Sequence, residues 1–157
     1  ILMTETPRQT QSAVSQLQEG AFPLVGVIED AMISWGNSGL PTEVVTEISV
    51  SQLANGDPGD NEIVLDVREP MEWATGHIPG AFLISLSTLR ERLQELPFDS
   101  KITVICEAGV RSSSAVSILQ AEGFAGVVNV PEGTGGYRSA GLPLEYFPEE
   151  IEYDQVS

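Results

Sequence analysis

Basic residues are scarce in this chain. Seven Lys and Arg stand against 23 Asp and Glu, a formal net charge of −16. That balance excludes a nucleic-acid partner, because phosphate contact needs a basic face. Cysteine is scarcer still. The single Cys106 cannot close an internal disulfide, which fits a reducing, cytoplasmic compartment. It also has no resolving partner in the chain, so an oxidised or sulfur-loaded Cys106 needs an outside acceptor. One cysteine and one histidine, His77, are too few to hold zinc, and no metal or nucleotide-cofactor motif is present. No apolar run reaches membrane-spanning length, so no membrane partner is expected. The opening residues, ILMTETPRQTQ, lack the charged-then-apolar pattern of a signal peptide.

Apolar residues make up 41% of 157 residues, enough for one cored domain plus an extension. The stretch that organises the chain is ITVICEAGVRSSSAVSILQAEG, residues 102–123. It reads as a buried strand ending at Cys106, a tight loop, and a helix stopped by Gly123. A thiol at the carboxyl end of a parallel strand sits where open α/β sheets place their ligands. The loop Glu107, Ala108, Gly109, Val110 and Arg111 aims backbone N–H groups into a common space. The helix N-terminus adds partial positive charge and Arg111 a full one. Such a cradle lowers a thiol pKa and holds an anion against the thiolate.

Strands alternate with helices along the rest of the chain, which predicts a parallel α/β sheet. The order is a strand near 44–48, a helix 50–55 capped by Ser49 and ended by Asn55 to Gly59, and a strand 63–67. A helical turn around Trp73, a turn 76–80 and a strand 81–84 follow. Ser87 is read as capping a helix of sequence TLRERLQEL that stops at Pro97. After the Cys106 segment come a strand 127–130 and a helical turn 133–140. Residues 1–11 read as disordered or weakly helical, and the end, PEEIEYDQVS, as a loose acidic tail.

Residues 12–41 align without a gap to residues 114–143. Ser12, Ala13, Val14, Ser15, Leu17, Gln18, Phe22, Val25, Gly39, Leu40 and Pro41 are identical to their partners 102 positions later. Eleven identities in 30 positions, where about two are expected by chance, indicate an internal repeat. Thr4 then falls at the place of Cys106, so the first copy has no nucleophile. Its apolar residues Phe22, Val25, Ile28, Ile33 and Trp35 need covering, and docking on the second copy or on another chain would cover them.

Three motifs carry a family resemblance: LDVREPMEWATGHIPGA at 65–81, CEAGVRS at 106–112 and EGTGGYRSAGLPLE at 132–145. Together they resemble the rhodanese family of sulfurtransferases, and the later part of a tandem rhodanese in particular. The last motif departs in having Tyr137 where Trp is usual; Trp35 keeps the usual residue in the first copy. The resemblance implies an α/β fold of rhodanese-like type, a central parallel sheet flanked by helices on both faces. The domain would span 42–147, with a partial rhodanese-like repeat or extension at 1–41 and the acidic tail at 148–157.

The resemblance further implies a sulfurtransferase that works without a cofactor. Cys106 would be the nucleophile, taking a sulfane sulfur from a small anionic donor such as thiosulfate, or from a persulfide. The Cys106 persulfide would then pass its sulfur to a thiophilic acceptor: cyanide, a thiol or a carrier protein. The N–H groups of Glu107, Ala108, Gly109, Val110 and Arg111 would surround the sulfur, Arg111 would hold the donor's anionic end, and Ser112 would add a hydroxyl. Asp66 and Arg68 would brace the loop as an ion pair, and His77 would belong to a structural turn. Related cysteine phosphatases and arsenate reductases place five residues between Cys and Arg. Here there are four, a cradle for sulfur rather than for a phosphate tetrahedron. Glu107 inside the loop disfavours a dianion further. The alternative reading is a non-catalytic rhodanese-like binding or regulatory module, against which the presence of both Cys106 and Arg111 weighs.

Overall fold

The computed structural model of the protein describes residues 1–56 and 62–146. The segment Asp57 to Gly59, read as a helix stop, and the acidic tail lie outside the described residues. The chain divides after Val44 into two compact units.

The first unit is a short β-α-β-α run: β1 (Leu2–Met3), α1 (Pro7–Glu19), β2 (Val27–Ile28) and α2 (Ala31–Asn37). β1 and β2 pair in parallel. Of residues 1–11, read as disordered or weakly helical, residues 7–11 are helical and Leu2–Met3 form a strand that the sequence reading did not expect. The reason is local. Thr6 and Gln9 close a reciprocal capping box, and Pro7 sits at the start of the helix where its missing N–H costs nothing.

The second unit holds β3 (Thr46–Glu47), α3 (Val50–Asn55), β4 (Glu62–Asp66), α4 (Pro70–Ala74) and β5 (Phe82–Leu83). It continues with β6 (Lys101–Ile105), α5 (Val110–Ala121), β7 (Val127–Asn129) and α6 (Gly133–Ser139). The five strands form one parallel sheet in the order β3-β7-β6-β4-β5. Side chains alternate across it. Leu65, Val67, Ile102 and Val104 point to one face, against Ala115, Val116 and Leu119 of α5. Val64, Ile105 and Val130 point to the other, against Val50 of α3 and Tyr137 of α6. Both faces are covered by helices, as the resemblance implies, and strands buried on both faces are accordingly near-continuous apolar runs.

Ser49 does cap α3, in a capping box with Gln52. α5 ends in a Schellman motif: Phe124 N–H reaches Leu119 O at 3.0 Å, Gly123 N–H reaches Gln120 O at 3.0 Å, and Gly123 has φ +93°. The helix expected after Ser87 does not form. Two 3₁₀ turns, Leu89–Glu91 and Leu93–Glu95, take its place, and the Ser87 hydroxyl donates to Glu69 instead of capping. A nine-residue helix is marginal by itself, and sinking Leu89 and Leu96 into the core decides the local geometry.

The chain leaves β4 for β5 on one side and leaves β6 for β7 on the other. The connections thus part between β4 and β6, and a crevice opens at the carboxyl ends of those two strands.

Candidate active site

Cys106 immediately follows β6 and is 1% exposed. Asp66 ends β4, and Asp66 and Ile105 are register partners. Arg68 stands two residues further on. All three therefore lie at the crevice. The loop after Cys106 closes tightly. Gly109 has φ +79°, and a Cβ there would stand 2.4 Å from Pro131 O. Gly133, φ +63°, lies as close on the other side: a Cβ would stand 2.3 Å from Glu107 O. Only glycine permits both the dihedral and the approach. This closeness lets Thr134 N–H donate to Cys106 O at 2.7 Å and Gly135 N–H to Glu107 O at 3.0 Å. The loop is thereby fixed to the first turn of α6.

Burial pushes the Cys106 thiol up, but the net shift is downward. The Ser112 hydroxyl and the backbone N–H groups of Ser112, Ala108 and Arg111 outweigh it by favouring the thiolate. Ser112 Oγ lies 3.4 Å from Sγ and 3.0 Å from Gly109 O, so its one proton is shared between two calls. α5 begins without a side-chain cap, Gly109 standing at its N-cap. Its first N–H groups are left for the sulfur.

Arg68 is fully buried. Its Nη2 lies 2.8 Å from Asp66 Oδ2, its Nε bonds both Asp66 oxygens, and Nη2 also donates to Gly76 O at 2.9 Å. A buried guanidinium with this many partners ties β4 to the turn after α4. Its Nη1 stands 3.5 Å from Glu107 Oε2. His77 stacks on Trp73 with ring centroids 3.8 Å apart, and its Nδ1 lies 3.3 Å from Trp73 O, in the turn where the sequence set it.

Two partners were not legible in the sequence. Arg111 makes a bidentate pair with Glu72, 2.6 Å at each contact. The Arg111 guanidinium holds the Glu72 carboxyl down at about 2. Arg138 Nη1 lies 3.2 Å from Glu107 Oε1. Glu72 is 39 residues from Arg111, and no local spacing signals such a pair. The one available hint was the scarcity of cations, which makes each arginine a sought partner. A cleft of about 480 Å³ is lined by Arg68, Met71, Glu72, Thr75, Glu107 and Arg138. A mostly apolar cavity of about 340 Å³ touches Glu62 and Lys101, at the amino ends of β4 and β6, and includes none of the expected site residues.

A family model described as a rhodanese-like domain matches residues 49–140. The chain belongs to the rhodanese-like family. The match lies wholly within the second unit. A sulfurtransferase of Allochromatium vinosum is 30% identical over 102 residues, 64% of this chain and 95% of that protein. The thiosulfate sulfurtransferase GlpE of Pseudoalteromonas translucida is 29% identical over 93 residues, 59% of this chain and 89% of that protein. The crystal structure of a rhodanese-related protein from Thermoplasma volcanium has a TM-score of 0.59 at 35% identity, covering 64% of this chain and 97% of that one. These relatives set the rhodanese-like domain in a sulfur-transfer family. Of the residues singled out in the sequence, Asp66, Arg68 and Cys106 stand at the carboxyl ends of β4 and β6, Glu107 reaches Arg68, and the N–H groups of Ala108, Arg111 and Ser112 face the sulfur, whereas the Val110 side chain is exposed. Among the described residues, no helix is long and apolar enough to cross a membrane, and no cluster of His, Cys, Asp and Glu could hold a metal ion.

Proposed function

We propose that the protein is a sulfurtransferase that carries a sulfane sulfur on Cys106. The observation that supports this most is the environment of the thiol: buried at the crevice, with three N–H groups and a hydroxyl favouring its ionised form. The thiolate attacks the outer sulfur of a donor. The bond from Sγ to that sulfur forms as the donor's S–S bond breaks, and the electron pair leaves with the rest of the donor. The sulfur-loaded Cys106 keeps the N–H cradle, which suits a persulfide anion as well as a thiolate. A thiophilic acceptor then takes the outer sulfur and restores the thiolate. Asp66 and Arg68 act as positioning residues that hold the crevice. In this reading the reaction calls on no metal or cofactor, and the single cysteine makes the acceptor external. Residues 1–41 are a partial rhodanese-like repeat that lacks the nucleophile, with Thr4 in its place.

Intact mass tests the reading. The full chain is incubated with thiosulfate and, separately, with cysteine persulfide, and then with cyanide. The expected result is a gain of one sulfur from at least one donor, lost to cyanide and absent in Cys106→Ser. A folded protein that gains none from either donor overturns the carrier reading and leaves the non-catalytic module.

A further inference from the structure

Each arginine at the crevice already holds a carboxylate. Arg68 is bound by Asp66 and faces Glu107, Arg138 pairs with the other oxygen of Glu107, and Arg111 is held at both terminal nitrogens by Glu72. Three cations thus meet three carboxylates, and a Cys106 thiolate adds a further negative charge. The Glu72 carboxyl stays ionised far below neutral pH, so protonation does not open its pair with Arg111. Glu107 lies against Gly135 and bridges Arg68 and Arg138.

We propose that Glu72 and Glu107 determine the donor specificity of the site. They set it for a persulfide, R–S–SH, and against thiosulfate. This rests on the reading of Cys106 as a sulfur carrier. Thiosulfate arrives with two negative charges, and sulfite leaves with two. Its capture draws on positive charge, and here the charge of each of these arginines is already offset by a carboxylate. A persulfide makes no such demand. The Cys106 thiolate attacks its outer sulfur, giving Cys106–S–SH, and the electron pair of the broken S–S bond leaves on R–S⁻. Charge is conserved at minus one, no net oxidation occurs, and R–S⁻ takes its proton from solvent. Glu72 therefore acts on specificity through Arg111, without touching sulfur.

The test is the rate of sulfur loading on Cys106, read by intact mass in the full chain. The donors are thiosulfate and cysteine persulfide, and the proteins are the native chain, Glu72→Gln and Glu107→Gln. Gln at position 72 keeps the acceptor that Glu72 Oε2 offers to Glu69 N–H at 3.0 Å, so α4 retains its cap. The native chain is expected to load from persulfide at least about tenfold faster than from thiosulfate. Glu72→Gln should raise thiosulfate loading by about tenfold, and Glu107→Gln by less, because Arg68 remains held by Asp66. Equal loading of the native chain from both donors overturns the proposal and leaves the carrier reading standing. So does thiosulfate loading that neither variant raises. Failure to load from either donor overturns the carrier reading itself. Should Glu72→Gln lose its native circular dichroism, Glu107→Gln alone decides the matter.

Discussion

The runs β1-α1-β2-α2 and β6-α5-β7-α6 are built on one plan, and of these two only the second holds the candidate site. Shifted by 102 residues, α2 falls on α6, residues 31–37 on 133–139, and α1, residues 7–19, falls on Gly109 and α5, residues 109–121. The strand register repeats too: Leu2 pairs with Val27 as Val104 pairs with Asn129. Both central helices end in the same Schellman bonds, Phe22 N–H to Leu17 O and Phe124 N–H to Leu119 O. Even the pair at the strand end persists. Thr4 and Thr10 are hydrogen-bonded through their hydroxyls, at the places of Cys106 and Ser112.

The difference lies in what the helix does with its first N–H groups. α1 spends them on itself. Thr6 N–H goes to Gln9 Oε1, Gln9 N–H goes to Thr6 Oγ1, and Pro7 has none to give. The equivalent residues in the second run are Ala108, Arg111 and Gly109, and there the first two serve the sulfur. A well-capped helix is a stable one, whereas an uncapped one can bind. Burial follows the same division. α1 has no buried residue, whereas Ser112, Ala115, Val116 and Leu119 of α5 are buried. β6 has β4 on one side and β7 on the other, and β1 pairs with β2 in a two-stranded sheet.

Moving the thiol is the strongest way to break this comparison. Thr4→Cys in a Cys106→Ser background is expected to gain no sulfur from a donor that loads the native chain, by intact mass. Loading at position 4 would show that the strand-end thiol suffices without open N–H groups. The next largest effect falls on stability. Arg68→Met leaves Asp66 buried without its partner and is expected to cost about 3–5 kcal/mol in denaturant unfolding. No loss would mean that the ion pair does not hold the crevice together.

Two substitutions exchange the runs at one backbone position. Ala31 has φ +39° where Gly133 has φ +63°. Gly133→Ala drives a methyl into Glu107 O and is expected to cost at least ~2 kcal/mol. Ala31→Gly should have the opposite sign, relieving a left-handed alanine, a gain of about 0.5 kcal/mol after the added freedom of the unfolded chain. Hydrogen exchange in α2 reports the gain, and unchanged exchange would mean that the dihedral is not strained. The smallest effect is on pH. The Cys106 thiol ionises below its ordinary value, so iodoacetamide alkylation should rise with pH at lower pH than for free cysteine. Ser112→Ala removes a hydroxyl that favours the thiolate, so that profile should move to higher pH. An unmoved profile would leave the N–H groups alone as its cause.

The fold of the second unit was legible because its signals are local and repeated. Apolar β-branched runs gave β4 and β6, Ser49 gave the start of α3, and Gly123 gave the end of α5. The segment after Ser87 was misread because its helical spacing and the burial of Leu89 and Leu96 conflict, and only packing resolves that conflict. The N-terminal strand was missed because β1 is two residues long and acquires its partner 25 residues away.

The site divides the same way. Sequence by itself determined the candidate nucleophile, the loop length, the candidate cradle, and the grouping of Asp66, Arg68 and Cys106 at strand ends, since each follows from a strand, a turn and a helix in succession. Only the tertiary structure decided which carboxylate meets which arginine. Glu72 and Arg111 are brought together by the pairing of β4 with β6, and Glu107 reaches Arg138 because Gly109 and Gly133 let two backbones nearly touch. Charge pairing across a fold depends on distances of a few ångströms between segments far apart in the chain, and composition does not specify those distances.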